Sequence, residues 1–154
     1  MKRLLLAMLL AAAGLDAHAQ TSCSVSPSAV SFGVYNPFGT TALDSTANVQ
    51  VTCSLAGVVA VLVNYTIQLN GGGSGFSPRK MQSGANALNY NLYTDSAHTI
   101  IWGDGTGGTA TVADSYIVSL TPGVRTYTVY GRTVASQNVP PGSYADTITV
   151  TVNY

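Results

Sequence analysis

The sequence predicts an all-β fold, a sandwich or barrel of seven or eight short strands, on three observations. Apolar and polar residues alternate with a period of two in run after run, most strictly in the closing YADTITVTVNY, as half-buried strands require. Gly, Pro, Asn and Asp clusters separate those runs at short intervals, the spacing of an all-β domain. No stretch carries a sustained helical period with caps.

In chain order, Lys2 and Arg3, the apolar run over 4–14 and Ala17-His18-Ala19 have the three parts of a secretory signal peptide, which sets residues 1–19 apart as a signal and 20–154 as one domain. No later stretch approaches the ~20 apolar residues of a membrane span, so the mature chain is expected to be exported and not membrane-inserted. Cys23 and Cys53 are the only cysteines, and in an oxidising compartment they are expected to pair with each other. Val30, Phe32 and Val34 alternate up to an Asn36-Pro37 turn. Val49, Val51 and Cys53 share one parity, which aims the Cys53 sulfur at the core. Tyr65, Ile67 and Leu69 form the next strand, ended by three glycines, and Leu88, Tyr90 and Leu92 another. TATVADSYIVSL and TYTVYGRT follow, and in the final run Ile148, Val150, Val152 and Tyr154 face one way.

Charge excludes one class of function. Beyond residue 19 the cations are Arg79, Lys80, Arg125 and Arg132, against Asp44, Asp95, Asp104, Asp114 and Asp146 with no Glu. Four scattered cations do not make the basic face that nucleic acid demands. Arg79-Lys80 in SPRKM reads as a solvated loop, a local positive spot able to meet a partner's carboxylate.

The chemical motifs are weak. GDGTGG after Trp102 lacks the Lys-Ser/Thr and the helix of a phosphate loop, whereas Asp-Gly suits a tight turn. Asp95, Ser96 and His98 lie too close together on the chain to converge as a triad, and there is no Gly-x-Ser-x-Gly elbow. The aspartates sit in turn-like settings where they cap backbone N–H groups, and calcium at Asp104 and Asp114 has no supporting loop motif. No catalytic residue, metal or cofactor is expected. The tyrosines in or beside strands, among them Tyr65, Tyr90, Tyr127 and Tyr144, read as core and rim.

Taken in order, CSVSPSAVSFGVY, VQVTC, LNYNLYTD, WGDGT, YTVYGR and PPGSYADTITVTVNY resemble the spore coat protein U domain family, which includes secreted coat proteins and subunits of archaic chaperone-usher pili. The resemblance implies an immunoglobulin-like sandwich lacking its last strand, with an apolar groove beside the C-terminal strand. It implies a non-enzymatic structural role in a surface fibre that supports adhesion and biofilm formation. The partners would be a periplasmic chaperone, an outer-membrane usher and other pilus subunits, joined by strand addition. Ile148, Val150, Val152 and Tyr154 would then form the acceptor edge. With only residues 20–22 between the expected cleavage point and Cys23, the chain has little to donate in return, which favours a minor, terminal or coat-like subunit. The alternative expectation is a self-sufficient coat protein that closes its own edge, for instance with residues 107–120.

Overall fold

The computed structural model describes residues 20–57 and 60–154; the expected signal peptide lies outside the described residues. Among the described residues eight strands form two antiparallel sheets. They are β1 (Gln20–Pro27), β2 (Asp44–Ala56), β3 (Ala60–Leu69), β4 (Arg79–Ser83), β5 (Asn86–Tyr93), β6 (Val112–Ser119), β7 (Gly123–Thr133) and β8 (Val150–Asn153). One sheet runs β1-β2-β7-β5-β4 and the other β6-β3-β8. The sandwich is immunoglobulin-like, and among the described residues its smaller sheet ends at β8.

Alternation builds the core. Ala47, Val49, Val51 and Cys53 of β2 are buried, as are Val63, Tyr65, Ile67 and Leu69 of β3, while their odd-man neighbours face outward. Tyr90 and Leu92 of β5, Val118 of β6 and Val129 of β7 complete the two inner faces around Trp102, whose indole N–H donates to Ile67 O at 3.1 Å. Cys23 and Cys53 stand opposite each other in the β1–β2 register and are joined as a disulfide.

Three sequence expectations change. The Arg79-Lys80 stretch is not a solvated loop but the start of β4, and Arg79 is fully buried. The run holding Val30, Phe32 and Val34 stays outside any strand; Val30 and Phe32 pack against the core, and Val34 is exposed. GDGTGG is a loop with turns, as expected, bracketed by the Trp102–Ala110 bridge, with Gly105, Gly107 and Gly108 at positive φ, a region open to glycine at no steric cost. Finally, residues 107–120 do not close the edge beside β8. Val112–Ser119 is β6, and it pairs with β3 on the side away from β8.

Candidate functional site: an open groove beside the terminal strand

Among the described residues β8 pairs with β3 alone. Asn70 donates its N–H to Thr149 O at 3.0 Å, and from there the register runs through Val150–Leu69, Thr151–Gln68, Val152–Ile67 and Asn153–Thr66. Bonded and non-bonded pairs alternate along an antiparallel ladder, so Thr149, Thr151 and Asn153 spend their backbone groups on β3. The N–H and C=O of Ile148, Val150 and Val152 therefore point the other way. Among the described residues no strand hydrogen-bonds to β8 on that side, although β1 comes near it in space.

What lies there is a groove of about 420 Å³. One wall is the 27–32 segment, with Val30 and Phe32; the other is 144–148 and Val150; Val49, Leu69, Leu92 and Val129 form the floor. The 27–32 wall exists because the chain leaves β2 after Ser28, whose N–H donates to Asn48 O at 2.8 Å. Val30 and Phe32 then lean over Gly131, where a Cβ would come within 2.8 Å of Val30. A larger residue at 131 would push this wall off the sandwich.

The second wall is set by polar contacts. Ala145 exchanges two backbone hydrogen bonds with Gln82 of β4, at 2.7 and 3.1 Å. One residue later, Asp146 Oδ2 accepts from the Tyr90 hydroxyl at 2.8 Å and Oδ1 from Gly73 N–H at 3.2 Å and Thr147 N–H at 2.8 Å. Thr149 N–H donates to Asn70 Oδ1 at 2.9 Å. Burial, and then the Asp146 carboxylate, raise the Tyr90 hydroxyl far above the ordinary phenol range, so it stays a donor.

Behind this corner sits Arg79. It donates from Nε and Nη2 to Asn70 O at 3.2 and 2.8 Å, from Nη2 to Trp102 O at 2.7 Å and from Nη1 to Asn91 Oδ1 at 2.7 Å, with Phe76 stacked over the guanidinium. Sequence reading missed this residue as a structural centre. The same-parity run Ser77, Arg79, Met81, Ser83 holds a single apolar residue, so alternation gave no signal of it.

Of the four expected edge residues, Ile148 and Val150 line the groove, and Val152 packs on the core further along. Tyr154 does not join them: it is 59 % exposed, past the end of β8. Residues 20–22 belong to β1 and pair with residues 54–56. The tempting Asp95 is a loop cap, accepting from Thr99 and Ile100 N–H groups, and His98 is packed between Tyr93 and Tyr130. Among the described residues no three His, Cys, Asp or Glu are placed to hold a metal ion.

The chain belongs to the Spore Coat Protein U domain family, whose model matches residues 8–151. It is 28 % identical to "Protein U" of Myxococcus xanthus, a match covering 86 % of this chain and 78 % of that protein. In fold it is similar, with a TM-score of 0.59 and 23 % identity, to a chain of the CsuC–CsuE chaperone–tip adhesion subunit pre-assembly complex from archaic chaperone-usher Csu pili of Acinetobacter baumannii. That match covers 88 % of this chain, which spans 40 % of the chain it resembles.

Proposed function

We propose that this protein is a non-enzymatic structural subunit of a chaperone-usher type surface fibre, and that it assembles by accepting a β-strand from another polypeptide into the groove beside β8. The observation that carries the reading is the coincidence of two deficits along one line. Among the described residues the outward backbone groups of Ile148, Val150 and Val152 have no ladder partner, and the groove lined by Ile148 and Val150 is apolar on its floor and on the 27–32 wall. An extended strand answers both, its main chain hydrogen-bonding along β8 while alternate side chains fill the groove.

An uncovered apolar edge is also an aggregation hazard. A periplasmic chaperone that lends a strand before assembly removes that hazard, and an outer-membrane usher followed by a neighbouring subunit would complete the exchange. The family and the fold of the Csu complex support this reading. Residues 1–19 would direct export, the surface fibre would be the destination, and adhesion and biofilm formation its use. No cofactor or metal enters the mechanism.

Co-expression with a periplasmic chaperone of the archaic type tests the reading. The expected result is a one-to-one complex and a gain in soluble yield. A chain that is monomeric, fully soluble and cooperative in melting when made alone, and that ignores the chaperone, would instead fit a self-sufficient secreted coat protein.

A further inference from the structure

The terminal segment changes sheets in the space of four residues. Ala145 is bonded to β4 at the edge of the five-stranded sheet, and Thr149 begins the pairing with β3 in the other. Between them the chain crosses the end of the sandwich and closes that end of the groove. β8 itself is only four residues long and is held on one side, and so short an edge strand is the kind that opens locally. The apolar walls also attract each other, because Ile148 and Val150 falling onto Val30 and Phe32 would take apolar surface out of water. Something must hold them apart in the empty chain.

The geometry points to Asp146 as that residue: resting on the strand-acceptor reading above, we propose that its carboxylate pins the sheet crossing and keeps the groove open for the incoming strand. It ties the crossing to two separate elements, β5 through the Tyr90 hydroxyl and the glycine loop through Gly73 N–H. The loop is shaped to receive it. Gly72 lies so close that an added Cβ would come within 2.1 Å of Asp146 Oδ2, and its φ of +62° is itself a glycine conformation. Asn70 holds the next stretch with the same loop, accepting from Thr149 on its side chain while its carbonyl is fixed by Arg79. Asp146 thus acts as a positioning residue. A groove already open costs an incoming strand little ordering, and preorganisation of that kind appears as affinity.

The test uses the chain from residue 20 onward and, as the probe, a synthetic peptide alternating valine and threonine over nine residues, with lysines at both ends. Binding is followed by surface plasmon resonance, and amide hydrogen exchange is followed by NMR without peptide. Asp146→Ala is expected to bind about tenfold more weakly than wild type, since the carboxylate's hydrogen bonds from Tyr90 and Gly73, which tie the crossing down, are lost along with the one from Thr147. Asp146→Asn should recover most of the loss, because its amide still accepts from Gly73 and donates to the Tyr90 oxygen. Tyr90→Phe, which keeps the ring, should fall between them, and covers the case in which Asp146→Ala does not fold. In the free protein the Gly73 and Thr149 amides should exchange faster in Asp146→Ala and Tyr90→Phe than in wild type. Equal affinities in wild type, Asp146→Ala and Tyr90→Phe would overturn the pinning role while leaving the acceptor reading intact. Absence of binding by wild type would overturn the acceptor reading and this inference together.

Discussion

At the scale of single residues, Arg79 shows how much of this fold is held by one charged side chain. Its guanidinium is buried without a carboxylate and is satisfied instead by two carbonyls and an amide oxygen. Lysine offers a point charge on a flexible stem in place of the planar fork. Arg79→Lys should therefore lower stability by about 2 kcal/mol or more in urea unfolding, and Arg79→Met should cost about 3 kcal/mol or more because the buried Asn70 and Trp102 carbonyls lose their donor. Acid sensitivity belongs at this scale too. The Tyr127 hydroxyl donates to Asp114 Oδ2 at 2.5 Å, and this bond, helped by Ser115 N–H and Arg125, holds the Asp114 carboxyl below its ordinary value of 3.8. Asp44 is lowered as well, chiefly by its two hydrogen bonds from Arg132. A depressed carboxyl contributes stability above its unfolded pKa and loses it as pH falls through the folded value. The melting temperature should accordingly hold steady from pH 7 to about 5 and fall below about pH 4. Tyr127→Phe should bring the NMR titration of Asp114 back toward its ordinary value. Arg79 was not legible in the sequence because its acceptors lie elsewhere on the chain, at Asn70, Asn91 and Trp102; two adjacent cations read alone as surface.

At the scale of elements, β2, β3 and β7 were legible because each turns one face to the core and the other toward solvent, and a period of two records that directly; β5 was legible from Leu88, Tyr90 and Leu92, although Asn91 on its other face is buried too. β4 was not, since its buried face begins with a charged residue. Nor was the 27–32 wall, whose alternating Val30 and Phe32 look like a ladder strand but pack on Gly131 beside an empty place in the sheet. Whether an alternating run has a neighbour on both sides is a tertiary fact, and strand periodicity does not encode it. The disulfide was legible from the cysteine count and compartment. It ties β1 to β2 across a separation of 30 residues, and cutting it should lower stability by about 3–4 kcal/mol in the chain-entropy account. Denaturant unfolding of Cys23→Ala/Cys53→Ala against the oxidised parent measures that directly. On the segment leading into β8, Ile148→Asp should abolish chaperone capture, because a charge on the groove wall would be buried by the incoming strand. Thr151→Asp, on the outward face of β8, should leave capture nearly unchanged.

At the scale of the whole molecule, a near-neutral chain presents a surface of Ser, Thr, Asn and Gly with few charges and a sandwich whose second sheet ends at β8. Low net charge gives little repulsion between copies, and an open edge invites pairing; together they suit a subunit meant to be joined to others. Amide hydrogen exchange at Ile148, Val150 and Val152, measured in the chain alone and in its chaperone complex, tests this account most directly. Fast exchange in the lone chain and strong protection in the complex is the predicted result. Protection already present in the lone chain, or exchange that the chaperone leaves unchanged, would contradict it.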